Sequence, residues 1–93
     1  MIVNFRCTQT EKLWRVGKSR RLPPEIWLTA FKKLALLNAA TDLVELSVPP
    51  GNKLEALTGD RNGQHSIRIN RQWRICFRWQ NDGVHDVEIV DYH

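Results

Sequence analysis

"HSIRINRQWRICFRW", residues 65 to 79, carries four arginines and two tryptophans in fifteen positions that otherwise alternate like strand. Isoleucines alternate with polar residues from Ser66 to Asn70, and alternation resumes from Trp73 to Trp79. Period-two alternation rich in β-branched and aromatic residues marks strands with one face in a core. Asn70-Arg71-Gln72, between the runs, is polar enough to turn. With those three as the loop, Ile69 faces Trp73, Arg68 faces Arg74 and Ile67 faces Ile75. Opposed residues share a face, so every apolar side chain then lands on one side. A two-residue loop at Arg71-Gln72 sets Arg68 against Ile75 and mixes the faces. The three-residue loop is therefore expected. It opposes two like charges, Arg68 and Arg74, which is destabilising. A chain selected only to fold has little reason to keep both, so an anion over that face is expected.

Outward from the hairpin, the chain reads as alternating elements. "IVNFRC", residues 2 to 7, alternates as a short first strand. Thr8 with Glu11 has capping-box spacing, giving a helix from about residue 9 to Val16 that stops at Gly17. "GKSRRLPP" is a basic connector. Its Gly17-Lys18-Ser19 is no phosphate loop, because Lys12 stands where the first glycine must be. Pro23-Pro24 open the strongest helix, Glu25 to Asn38. There Trp27, Ala30, Phe31, Leu34 and Leu37 form one stripe expected to pack, with Lys32 and Lys33 pointing away. "TDLVEL" suggests one more helical turn, "PPGN" a break, and "KLEALTGDRNG" an irregular stretch ending in a turn at Asn62-Gly63. After "QNDG", Val84 to Val90 make a last strand. The expected order is β-α-α-β-β-β, an α+β domain over residues 1–93 with its helices on one sheet face.

Composition is that of an ordinary soluble globular chain. No apolar run approaches the roughly 20 residues that span a bilayer, and no signal-peptide pattern follows Met1, so a cytosolic protein is expected. Cys7 and Cys76, each in a strand-like run, are expected as free thiols acting as small hydrophobes. The net charge of +4 is uneven: +6 over residues 1–33, −3 over 34–60 and +1 over 61–93. Clustered basic charge of this kind is a footprint for nucleic acid, and equally the mark of a mildly basic surface.

"GDRNGQHSIRINRQWRICF" followed by the C-terminal "VEIVDYH" resembles the HigB toxins of the RelE-type superfamily in bacterial toxin–antitoxin systems. The similarity runs from the "IVNF" stretch to Tyr92-His93. It implies a βααβββ fold and an endoribonuclease that enters the ribosomal A site and cuts mRNA there without metal or cofactor. It also implies an antitoxin partner bearing a DNA-binding helix-turn-helix. Carried onto this chain, Arg74 matches the arginine that contacts the scissile phosphate, and Arg68 the basic residue on the opposing strand. Asp91, Tyr92 and His93 match the cluster beside the cleavage site. Lys53, Arg61 and Arg71 are the expected RNA contacts. Some relatives have a histidine before the Gly-Asp-Arg motif, where this chain has Glu55; that leaves the general base open.

Metal-free RNA cleavage needs a base for the 2′ proton, cations for the phosphorane and an acid for the leaving 5′ oxygen. Arginine forks suit the second task. His93 is the group whose ordinary pKa lies near neutrality and which falls within the motif; a frayed terminus is its other reading. Tyr92 either stacks on a base or anchors the C-terminus, and Asp91 either orients His93 or is merely solvated. Arg78 is expected to flank the sheet edge. His65 falls on the apolar side as a packed, hydrogen-bonded histidine, and His85 at the surface. No spacing matches a zinc pattern, and Cys76 shows no sign of activation. The alternative function is a non-cleaving RNA- or ribosome-binding module on the same fold.

Overall fold

The structure is a computed structural model that describes residues 1–92. Two helices, α1 (Thr8–Val16) and α2 (Pro24–Ala39), precede a four-stranded antiparallel sheet. Its strands are β1 (Glu55–Ala56), β2 (His65–Arg68), β3 (Trp73–Gln80) and β4 (Gly83–Asp91), in spatial order β1-β2-β3-β4. No helix among the described residues is long and apolar enough to cross a membrane.

The hairpin register is the expected one: Ile67 pairs with Ile75 and Arg68 with Arg74. Asn70 sets the turn, its Oδ1 accepting from the backbone N–H of both Gln72 and Trp73 at 2.8 Å. That Asx geometry satisfies two turn amides with one side chain. Ile67, Ile75 and Phe77 are fully buried, and with Val84, Val87 and Ile89 they meet Leu13, Ile26, Ala30, Leu34 and Leu37 of the helices.

Val84 and Val87 share the core although an odd spacing separates them. The ladder between β3 and β4 shifts register between Cys76 and Arg78, and Asp86 adopts φ 54°. The bulge inserts one residue, so alternation restarts in the opposite phase. It also explains why residues 2–7 do not form the continuous first strand expected. They lie beside β4 in parallel as two isolated bridges, Ile2 to Val84 and Phe5 to Val87. Between these, Asn4 Oδ1 accepts from the Asp86 N–H at 2.7 Å where the ladder is interrupted. A Cβ on Gly83 would stand 2.5 Å from the Met1 carbonyl oxygen, so only glycine admits the N-terminal segment this close.

Three local expectations need correction. Thr8 is the first helical residue of α1 rather than its cap; Cys7 stands at the N-cap without a side-chain bond, and Glu11 pairs with Arg15 instead of closing a capping box. The α2 stripe is turned by about one residue: Ile26, Ala30, Leu34 and Leu37 are buried, whereas Phe31 is exposed. The Phe31 ring lies tilted by 30° against Trp14 of α1, 5.3 Å between centroids, and the Trp27 indole N–H donates to the Leu22 carbonyl, so the rings bridge elements at the rim. Trp27 and Phe31, with Gly17, Pro24 and Leu28, line an open apolar groove of about 400 Å³. Lys33 does not point away either: its Nζ donates to Oδ1 of the buried Asn52, tying α2 to a short 3₁₀ turn at Pro50–Asn52.

Candidate active site

The ladders place Glu55, Ser66, Arg68, Arg74, Cys76 and Glu88 on the sheet face opposite the helices. Alternation alone marks such a face as solvated. The structure buries its centre: Ser66 and Cys76 are fully covered, and Arg74 is 8% exposed.

Arg74 is held from several sides. Its Nε donates to Ser66 Oγ at 2.7 Å, and its Nη2 donates to the Lys53 carbonyl at 2.6 Å. The guanidinium lies over the Tyr92 ring, 5.3 Å from the centroid, and Nη2 is 3.6 Å from Glu55 Oε1. Nη1 has no hydrogen-bond partner among the described residues. Three neutral acceptors, the Ser66 hydroxyl, the Lys53 carbonyl and, at 3.4 Å, the Ser66 carbonyl, together with one loose carboxylate contact thus orient a nearly desolvated cation. Burying a charge is costly unless it is paired and bonded, and a half-exposed Glu55 at that distance neutralises it weakly. Its opposed neighbour Arg68 turns elsewhere, donating from Nε to the Asn70 carbonyl at 3.0 Å. Divergence of the two heads accommodates the like charges that the register brings together.

Beside Arg74 opens a pocket of about 330 Å³, lined by Glu55, Ala56, Leu57, Thr58, Asp60, Arg61 and Tyr92. Arg74 stands behind two of its walls, Glu55 and Tyr92. The C-terminal wall is fixed by the hairpin turn. The Gln72 carbonyl accepts from the Tyr92 N–H, and the Gln72 side-chain amide donates to Asp91 Oδ2 at 3.0 Å. Asp91 pairs across from Trp73, on the opposite face from Tyr92. The structure therefore brings Tyr92 to Arg74 and directs Asp91 toward Gln72. His93 lies outside the described residues.

The remaining cations differ in kind. Arg61 Nη1 meets Glu88 Oε1 at 3.0 Å and Gln64 Oε1 at 3.2 Å. The hydrogen bond to Glu88 raises the Arg61 pKa above its ordinary value, with burial opposing. Arg78 pairs with Asp86 at 3.4 Å and lies over Gly63, where a Cβ would come within 2.7 Å of its Nη1. Arg71 and Lys53 are exposed, and neither makes an ion pair among the described residues. Cys7 and Cys76 are free thiols. Burial pushes the Cys76 thiol pKa up, Arg61 only partly offsetting it. His65 does pack on the apolar face, its ring 6.2 Å from that of Phe77, but its buried Nδ1 has no hydrogen-bond partner among the described residues, in contrast to the hydrogen-bonded histidine expected. His85 Nε2 meets Asp82 Oδ1 at 2.7 Å near the β3–β4 turn.

Sequence reasoning passed over two residues that build this site. Ser66 had read as one polar tooth of an alternating strand, and Gln72 as turn filler. The register offered a signal for Ser66: it is a diagonal neighbour of Arg74, within reach of a long side chain. Nothing in the spacing marked Gln72.

A family model described as a RelE-like toxin of the type II toxin–antitoxin system HigB matches residues 3–93. Toxin HigB-1 of Vibrio cholerae serotype O1 is 38% identical over 94 residues, covering 100% of this chain and 98% of that protein. Endoribonuclease HigB of Proteus vulgaris is 30% identical over 93 residues, covering 100% of both. An uncharacterized Haemophilus influenzae protein is 27% identical over 85 residues, or 90% of this chain and 84% of the relative.

Proposed function

This chain belongs to the RelE-like HigB toxins of type II toxin–antitoxin systems, and on that premise we propose that it is an endoribonuclease cutting mRNA in the ribosomal A site. An antitoxin is its partner by membership of such a system; the reading adds that this antitoxin carries a helix-turn-helix. It also places the toxin in the cytoplasm, where programmed ribosomes are.

The observation that carries the reading is Arg74, a cation almost withdrawn from water and held against Glu55 and Tyr92, two residues that line an open pocket. Such a charge is screened far less than a surface one. Nη1 and the exposed remnant of the side chain are where a phosphate oxygen reaches it. Charge developing on the pentavalent phosphorus then meets a donor that needs no reorganisation, which is the efficient form of electrostatic catalysis. In this scheme arginine supplies the charge stabilisation, so the step is routed without metal. Tyr92, exposed on its outer side, offers a ring for a nucleobase. Arg68, Arg61, Arg71 and Lys53 contact the flanking backbone, Asp91 holds the C-terminal turn, and His93 returns a proton to the leaving 5′ oxygen.

Dependence on the ribosome follows from how few proton-transfer groups the site contains. Much of the rate must come from positioning the 2′-hydroxyl in line with the leaving group, and a decoding centre can hold mRNA bent. Purified protein added to a reconstituted translation system is expected to cut mRNA at mapped A-site positions and to leave free RNA largely intact. Rapid cutting of free RNA would remove the ribosome from the mechanism. Ribosome binding without cuts would make the protein a binding module instead.

A further inference from the structure

We propose that Gln72, in the turn between β2 and β3, is a positioning residue for cleavage: it clamps the C-terminal tail in the one register that lays Tyr92 over Arg74. This rests on the endoribonuclease reading above. Tyr92 follows the last residue of β4, Asp91, whose ladder partner is Trp73. A chain end beyond its last strand frays unless something ties it down. Gln72 ties it twice. Its carbonyl accepts from the Tyr92 N–H, which adds a rung to the sheet, and its side-chain amide donates to Asp91 Oδ2 at 3.0 Å. The second bond runs to a carboxylate and is of the stronger kind.

Gln72 is itself held. Asn70 Oδ1 accepts from the N–H groups of Gln72 and Trp73, both at 2.8 Å. The Asn70 carbonyl in turn accepts from Arg68 Nε at 3.0 Å. A chain of hydrogen bonds therefore runs from Arg68 through the turn to the C-terminal tail, and the tail lies on Arg74. It begins and ends on the two arginines that the hairpin register opposes.

The clamp decides which side chain the tail presents. Successive residues of a strand point to opposite faces, so Tyr92 shares the face of Arg74 while Asp91 does not. A slip of one residue would exchange them and carry the ring away from the guanidinium. The ring alone does not prevent that. Its centroid is 5.3 Å from Arg74 Cζ and Tyr92 is 40% exposed, and cation–π contacts at exposed sites are weak. The Gln72–Asp91 bond forms only with Asp91 opposite Trp73, and so selects the register in which Tyr92 walls the pocket beside Glu55 and Arg61. That ring is the surface offered to a nucleobase, so its placement sets how the scissile nucleotide meets Arg74.

The chain contains a single tyrosine, so fluorotyrosine labelling gives one fluorine NMR resonance reporting the Tyr92 ring in the free protein. It is recorded for wild type, Gln72→Ala, Gln72→Glu and the pair Gln72→Glu with Asp91→Asn. Circular dichroism confirms that each is folded. Single-turnover cleavage and affinity for programmed ribosomes are measured alongside. Gln72→Ala is expected to move the resonance toward its position in urea-unfolded protein. It is expected to slow cleavage about tenfold to a hundredfold, as small misplacements at a reacting centre do, with ribosome affinity unchanged. Gln72→Glu sets a second carboxylate against Asp91 and is expected to do the same. The pair reverses donor and acceptor at unchanged net charge, and is expected to return both readouts toward wild type.

An unmoved resonance in Gln72→Ala would overturn the clamp; slowed cleavage alongside it would make Gln72 a direct RNA contact. A moved resonance with undiminished cleavage would overturn the positioning role, as would a loss confined to ribosome affinity. Wild-type protein that cuts nothing on ribosomes would overturn the underlying function and this role together, and the fluorine resonance would still show whether the clamp exists.

Discussion

The two faces of the sheet are both buried at their centres, yet by opposite chemistry. The helix-covered face is closed by Ile67, Ile75, Phe77, Val84, Val87 and Ile89 against α1 and α2. The other face is closed by its own polar groups: Arg74 on Ser66 and Lys53, Arg61 on Glu88, Tyr92 across the guanidinium. The first lowers free energy by removing apolar area from water, at about 25 cal/mol per Å². The second gains little net stability, because desolvating a charge offsets most of what its hydrogen bonds return. One face holds the fold together; the other holds a cation ready for an anion.

Substitutions on each face separate these roles. Phe77→Ala removes the largest fully buried side chain and is expected to cost about 3–5 kcal/mol, a large share of a total that is typically about 5–15 kcal/mol. A urea melt checks it, and a loss under 1 kcal/mol would mean the helix-covered face is not the stabilising one. Ser66→Ala strips the acceptor from Arg74 Nε. Leaving a buried charged donor short of one bond costs about 1.5–3 kcal/mol, and displacing the guanidinium is expected to slow cleavage on the order of tenfold to a hundredfold. Unchanged cleavage with reduced stability would make that hydrogen bond purely structural.

The smallest effect concerns Cys76, beneath the Arg61–Glu88 pair. Its folded pKa is raised by burial, so the unfolded thiol ionises first as pH rises. The associated stability is complete below the unfolded value, about 8.5, and declines above it. A melting temperature that falls more steeply above that pH in wild type than in Cys76→Ala is the expected signature. Fast reaction of the native thiol with an aromatic disulfide would show instead that the polar face is open to solvent.

The same contrast explains what could be read in the sequence. The apolar face was legible because alternation from Ser66 to Trp79 admits one register that keeps isoleucines together, and Asn70-Arg71-Gln72 supplied the turn. Both helices were legible from Gly17 and Pro23-Pro24. The bulge at Asp86 was not: an extra residue with left-handed backbone leaves no periodic trace beyond the odd spacing of Val84 and Val87. Nor was β1, because two residues carry no period. The expected α2 stripe included Phe31 in place of Ile26, since hydrophobicity alone does not distinguish a ring at the rim from one in the core. On the polar face, spacing named Arg74 and Arg68 but could not tell their states apart. Burial of Arg74 and only partial burial of Arg68 depend on Ser66, Lys53 and Gln72, whose contributions are a hydroxyl, a carbonyl and a turn amide at long sequence separation.

The central claim is that neighbouring arginines are unequal in function because Arg74 is desolvated and only weakly neutralised by Glu55, whereas Arg78 is a partly exposed partner of Asp86. It is tested most directly by comparing Arg74→Ala with Arg78→Ala, at equal folded fraction, for mRNA cleavage on programmed ribosomes with 5′ ends mapped. Arg74→Ala is expected to lose about 10²–10³-fold. Arg78→Ala, which breaks only a partly exposed pair with Asp86, is expected to stay within about tenfold of wild type. Equal losses in the two variants, or full activity in Arg74→Ala, would contradict the account.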